Sequence, residues 1–97
     1  MIEKRGHSVE VGTPLVWTGE VGQHPAGSIR GYRDCTISNT GSGSLAITAN
    51  FGNGEVTYAT LASGEGDTYL IPSAESITMT ASSATCVVDI INHFEIT

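Results

Sequence analysis

The chain has 97 residues, a formal net charge of −6 and only 14% charged residues, which is the size of one domain with a modest hydrophobic core. An acidic surface repels the phosphate backbone of nucleic acids, and no apolar run is long enough to span a membrane, so we expect neither as a partner. The first residues lack the apolar stretch of a secretory signal peptide, which predicts synthesis in a cytoplasm.

Short segments of alternating apolar and polar residues recur along the chain and predict β-strands. We expect a polar lead-in at 1–6, and residues 19–28 have no periodicity, which predicts an exposed loop. The sequence Gly52-Asn53-Gly54 favours a tight hairpin, because Asn and Gly adopt positive φ at low cost. In chain order, the predicted strands are 8–11, 14–18, 29–38, 44–51, 55–61, 68–71, 76–81 and 85–96.

The last predicted strand, 85–96, is the longest and most apolar of these segments, and we expect it to lie centrally in a sheet. Its even-numbered residues form a face for the core. On the opposite face Val87 and Ile91 are apolar too, which predicts that a loop or another subunit covers them. Along the whole chain, buried side chains are expected at Ile47, Phe51, Ile77, Val88, Ile90 and Phe94.

Seven or eight short strands, with turn residues every 8–12 positions, predict an all-β fold, either an antiparallel β-sandwich or a small barrel, and we expect the sandwich. We expect the whole chain, 1–97, to form this single domain. Immunoglobulin-like and jelly-roll-like strand orders both fit this pattern, and the short length slightly favours the first.

Two cysteines lie on predicted core faces. A disulfide between Cys35 and Cys86 would stabilise the fold by about 4 kcal/mol on the chain-entropy model, but a cytoplasmic origin favours reduced, buried thiols. Their spacing from the three histidines is unlike that of a zinc site, so we expect neither a metal nor another cofactor. Glu65 and Asp67 could hold calcium, yet two carboxylates fit a solvated turn better.

The sequence contains no motif that dictates a chemistry. His7, His24 and His93 could act as bases in a small hydrolase, but no serine or cysteine nucleophile motif accompanies them, so we expect no catalytic residues and no enzyme. Trp17, together with at least one exposed tyrosine, could form a sugar-stacking platform, as in a carbohydrate-binding module of a tail or fibre tip. Aromatic residues scattered singly through strands are more typical of core positions.

A succession of turn and strand residues runs through 36–90. It comprises an N-x-G strand end, an L-x-x-G corner, two isoleucines of a hairpin and a valine-rich closing strand, at Asn39 and Gly41, Leu61 and Gly64, Ile71 and Ile77, and Val87 and Val88. In this succession the chain resembles small β-sandwich virion proteins of tailed bacteriophages. The resemblance implies a structural protein without catalysis, which decorates or cements a phage capsid as a homo-oligomer.

The resemblance also implies a partner, an oligomeric state and a location for the protein. The partner would be the major capsid protein or another virion protein, and the favoured oligomer would be a trimer. The protein would be made in the host cytoplasm and located in the virion. The N-terminal third lies outside the resemblance, so Lys4 and Arg5 are candidates for contact with the capsid or a neighbouring subunit. Val87 and Ile91 are candidates for contact between subunits. Low charge and abundant Thr, Ser, Ala and Gly also favour an interaction protein over an enzyme.

Overall fold

The computed structural model describes residues 2–19, 22–23, 31–72 and 74–93. Within them the chain forms β-strands and no helix. The strands are β1 (Ile2–Val9), β2 (Leu15–Trp17), β3 (Gly22–Gln23), β4 (Gly31–Asn39), β5 (Ser44–Asn50), β6 (Glu55–Leu61), β7 (Gly66–Pro72), β8 (Ser76–Ser82) and β9 (Cys86–Asn92). This confirms the all-β prediction.

The strands belong to two antiparallel sheets. The first sheet has the order β1-β9-β4-β7, and the two-residue β3 pairs with the start of β4. The second sheet has the order β2-β8-β5-β6. Both sheets turn an apolar side toward a common core, and the shortest dimension of the molecule, 17 Å, suits two layers packed about 10 Å apart. The fold is therefore a β-sandwich.

The pairings are nested like those of one long hairpin. β5 pairs with β6 at its tip, and the pairs β4–β7, β2–β8 and β1–β9 follow outward along the chain. The hairpin is then rolled up, because β9 also pairs with β4 and β8 also pairs with β5. Eight strands nested in this way make a jelly roll. Of the two strand orders that the sequence left open, the structure has the jelly roll and not the slightly favoured immunoglobulin-like order.

Alternation of buried and half-buried residues is regular in β5, β8 and β9. Ile47, Ile77, Val88 and Ile90 are fully buried, as predicted. Phe51 is only partly buried, since it follows β5 and packs against the rim of the core. Phe94, also predicted to be buried, lies outside the described residues.

The prediction of a polar lead-in at 1–6 is wrong, because Ile2–Val9 is one strand that pairs with β9. The strand is not apparent from the sequence, because β1 is an edge strand with two register shifts and therefore does not keep a simple period of two. Charged residues are common on edge strands, where they discourage pairing with other chains. The predicted loop 19–28 likewise contains β3, and most of its other residues lie outside the described part.

Two turns hold the folded hairpin in place. At its tip, Gly52 has a φ of 85°, and the amide of Phe51 donates to the carbonyl of Gly54 at 2.9 Å, as the Gly52-Asn53-Gly54 sequence predicts. At the opposite end, the buried Asn39 leads the chain from the first sheet to the second. Its Nδ2 donates to the carbonyls of Gly43 at 2.8 Å and Leu61 at 3.2 Å, which ties two corners of the sandwich together.

Cys35 and Cys86 are both free and fully buried. Cys35 pairs with Asn92 across the β4–β9 ladder, and Cys86 lies six residues earlier on β9. At about 3.4 Å per residue the two cysteines are roughly 20 Å apart, whereas a disulfide requires Cα atoms within about 7 Å. The fold therefore excludes the disulfide and agrees with the prediction of reduced thiols.

We expect substitutions on the two sides of a strand to differ sharply in cost. Ile90→Ala, in the core, should lower the free energy of unfolding by about 2–5 kcal/mol, because it leaves a cavity. Thr80→Ala, on the outer side of β8, should change it by no more than about 0.5 kcal/mol. Urea denaturation measures both. Equal costs would mean that the register is shifted by one residue.

The buried thiols predict a loss of stability in alkali. Desolvation, with a contribution from the nearby Asp34 carboxylate, raises the pKa of Cys35 to about 12. In the unfolded chain a cysteine titrates near pH 8.5. Between these two values the folded chain binds more protons, so stability falls as pH rises, by up to about 1.4 kcal/mol per pH unit for this thiol.

Urea denaturation at neutral and alkaline pH tests this, with Cys35→Ala as the matched variant. The variant should lose less stability than the wild type between the two conditions. A thiol reagent at pH 8 should label neither cysteine in the folded protein and both in urea. Equal alkaline losses in wild type and variant, or rapid labelling of the folded protein, would contradict the assignment.

Candidate association surface

The outer face of the first sheet contains Val87 and Ile91, two of the four residues predicted to form an interface. On β9 the residues between them and beside them, Cys86, Val88 and Ile90, are fully buried. Because side chains alternate along a strand, Val87, Asp89 and Ile91 point away from the core. Each of the three is half-buried, so part of each remains in contact with solvent.

Val87 and Ile91 lie on a strand in the interior of the first sheet and not at its edge. β9 lies between β1 and β4, and Ile91 is flanked by Ile2 on one side and Thr36 on the other. Val87 is opposite Ser8 on β1. Two β-branched aliphatic side chains thus stand on the solvent side of a central strand. Such positions in an antiparallel sheet with one solvated face are usually polar.

A carboxylate separates the two apolar residues. Asp89 lies between Val87 and Ile91 on the same side of β9, and its Oδ1 accepts a hydrogen bond from the amide of Gly6 at 2.7 Å. Gly6 has a φ of 63° and lies where the pairing of β1 with β9 is irregular. The neighbouring strand β4 contributes a second acidic residue, Asp34, to this face. The outer face of the first sheet is therefore apolar in part and acidic in part.

Lys4 and Arg5, the other two predicted interface residues, lie on β1 and not in an irregular lead-in. Lys4 is half-buried and pairs with Ile90, whereas Arg5 is exposed. Since β1 pairs with β9 along its length, the fold brings all four predicted residues onto two adjacent strands.

Sequence reasoning missed a hydrogen-bonded group on the same sheet. Nε2 of His93 lies 2.6 Å from Oγ1 of Thr36, which lies 2.9 Å from Oγ1 of Thr68. The amide of His93 donates to the carbonyl of Asp34 at 2.8 Å. Only the registers of β4 against β9 and against β7 bring these residues together, and those registers cannot be deduced from the local sequence.

This group bears on the hydrolase alternative, which requires a cleft that holds His24 or His93 beside a serine or an aspartate. The hydroxyl that His93 contacts belongs to Thr36, and both residues lie at the surface of the sheet. His24 lies outside the described residues. The alternative therefore gains no nucleophile and base of the required kind from the described part of the chain.

The sugar-binding alternative requires an exposed Trp17, but this side chain is only 3% exposed. The guanidinium carbon of Arg33 lies 5.5 Å from the centroid of its ring, a cation–π arrangement. The buried Arg33 also donates to the carbonyls of Gly19, Ala74 and Glu75. Trp17 and Arg33 together join the two sheets at one end of the sandwich, so this tryptophan is a structural residue.

The tyrosines form no stacking platform within the described side chains. Tyr69 is buried, and desolvation raises the pKa of its hydroxyl. Tyr58 is 43% exposed, on the edge strand of the second sheet. The side chain of Tyr32 lies outside the described part.

The carboxylates of Glu65, in the turn before β7, and of Asp67, on β7, both accept hydrogen bonds from nearby backbone amides. Glu65 accepts a hydrogen bond from the amide of Ala62 at 2.7 Å, and Asp67 accepts one from the amide of Thr68 at 2.8 Å. The hydrogen bond of Glu65 agrees with the prediction of a turn, whereas Asp67 is part of a strand. Among the residues described, no three His, Cys, Asp or Glu side chains are grouped as metal ligands would be. Nor do those residues include a helix long and apolar enough to cross a membrane.

Comparison with known proteins gives no match: no family model, no curated protein and no solved structure is significantly similar to the chain.

Proposed function

We propose that this chain is a non-enzymatic structural protein of a virus particle, which decorates or cements a bacteriophage capsid as a homo-oligomer. The observation that carries the proposal is the pair of outward-facing aliphatic residues, Val87 and Ile91, on the central strand β9. Both remain partly exposed, and covering them with a partner removes apolar surface from water.

A capsid is a suitable partner for a surface that contributes little binding free energy per copy. Full burial of a valine or isoleucine side chain contributes about 1.5–3 kcal/mol, and these two are already half-buried, so each supplies less than that. A capsid lattice repeats the same site many times. An oligomer that engages several sites at once converts a weak contact per subunit into firm attachment.

The charge of this face indicates which charge the complementary surface of the partner should have. Asp34 and Asp89 lie on the same face as Val87 and Ile91, and the whole chain has a net charge of −6. A complementary capsid surface would be apolar with basic residues around it. Arg5 is exposed and Lys4 half-buried on the adjacent edge strand β1, so this edge of the sheet supplies the opposite charge for acidic residues of the capsid.

The fold is compatible with this role but does not prescribe it. Jelly rolls form viral capsid domains and also lectins, and one fold supports many functions. The resemblance of residues 36–90 to small virion proteins of tailed phages supports the first of these roles. The burial of Trp17 removes the residue on which the sugar-binding alternative depended.

Attachment to capsids can be measured by co-sedimentation with empty shells assembled from the major capsid protein of the encoding phage. The wild type should bind until a fixed ratio to the lattice sites is reached. Val87→Asp and Ile91→Asp should each weaken binding by at least about tenfold, because a charge is forced into an apolar contact. The folded state should persist, since both side chains point out of the core.

Val11→Asp is the matched control, because Val11 is 57% exposed in the turn after β1 and lies off this face. It should bind shells like the wild type. Lys4→Glu and Arg5→Glu should weaken binding in low salt and less in high salt. Deletion of 1–6 is unsuitable as a test, because it removes most of β1 and would destabilise the sandwich. Wild-type protein that shows no affinity for shells would overturn the proposal.

A further inference from the structure

The two outer faces of the sandwich differ in charge. On the second sheet, the outward side chains alternate with the buried Leu45, Ile47 and Met79. They include Val16, Ala46, Thr48, Thr57, Thr78 and Thr80, which we call the threonine face. None of these carries a charge, although the chain as a whole is strongly acidic. Glu55, at the first position of β6, lies at a corner of this face.

The register aligns these residues in rows across the sheet. Val16 pairs with Thr78, Thr78 with Thr48, and Thr48 with Thr57, so one row crosses all four strands. The hydroxyls of Thr48 and Thr57 lie 3.3 Å apart. At one end of the row, Val16 is 54% exposed. The result is an uncharged surface of methyl and hydroxyl groups as wide as the sheet.

In a two-fold symmetric dimer, the charge of a face affects whether that face can pack against its own copy. In a symmetric pair of identical chains the same patch meets itself, so each residue near the axis approaches its own copy. On the outer face of the first sheet, Asp89 would approach another Asp89, and like charges across an interface are unfavourable. The threonine face has no such conflict.

We propose that two copies of this chain pack against each other through the threonine face, which leaves the outer face of the first sheet free for the capsid. This inference deepens the homo-oligomer part of the proposed function and rests on it. It assigns Val87 and Ile91 to the capsid and not to contact between subunits. It also replaces the trimer favoured from the sequence with a two-fold pair.

The area of the face sets the expected affinity. Three strands of seven residues and the three-residue β2, about 4.8 Å apart and with about 3.4 Å per residue, give roughly 400 Å² of flat area per copy. Two copies would bury roughly 800 Å² of flat area, which is less than the roughly 1,200 Å² of the smallest standard interfaces and is typical of weak, transient contacts. We therefore expect a weak dimer that forms at micromolar concentrations and above.

Paired charge variants test the contact in sedimentation experiments. Thr78 lies in the middle of the long row, between Val16 and Thr48. Thr78→Glu alone and Thr78→Lys alone should each be monomeric, because like charges meet across the axis. An equimolar mixture should recover dimers, because opposite charges then meet. Dimers that survive in each single variant, or a mixture that stays monomeric, would overturn the contact.

Two controls separate the contact from a loss of folding. Val11→Glu introduces the same charge at a residue that is 57% exposed outside the threonine face, and it should leave the dimer intact. Thr78→Val keeps the shape and the β-branch without charge, and it should also remain dimeric. A dimer lost in Val11→Glu as readily as in Thr78→Glu would overturn the assignment to this face.

The outcome can be told apart from that of the proposed function. If the wild type is a dimer that the Thr78 variants dissociate, but shells do not bind it, the capsid role fails and the contact stands. If shells bind the wild type, but it sediments in free solution as a monomer or a trimer at high micromolar concentration, the contact is wrong and the capsid role stands.

Discussion

The pairing of β9 with both β1 and β4 is the constraint on which the rest of the molecule depends. It closes the outermost pair of the folded hairpin and joins that pair to β4, which rolls the hairpin into a sandwich. It also fixes which side of β9 is the core. Val88 and Ile90 are buried as a result, and Val87 and Ile91 must face outward. The core and the candidate association surface thus follow from one register.

Much of this could be predicted from the sequence, because strands buried on one side alternate visibly. The segments that became β5, β8 and β9 were predicted with the correct faces, and the tip of the hairpin followed from Gly52-Asn53-Gly54. β1 was missed because its polar residues and irregular register hide a strand that depends on pairing with β9. On β6, a register shift beside Tyr58 likewise interrupts the alternation.

The candidate surface was predictable in part for the same reason. Val87 and Ile91 were identified from alternation within one strand, which is local information. The contact between His93 and Thr36 joins residues 57 positions apart, and the row of Thr48, Thr57 and Thr78 depends on the registers of three strands. Such groupings depend on the strand order, and the sequence alone is compatible with two strand orders.

In the proposed role the two outer faces have different partners: the acidic and apolar face binds a capsid, and the uncharged face binds a second copy. Electron cryomicroscopy of particles of the encoding phage tests this assignment of the two faces most directly. The account predicts a two-layered density on the capsid, with Val87 and Ile91 toward the capsid and the threonine face against another copy. Particles that lack the protein, or in which the threonine face meets the capsid, would contradict it.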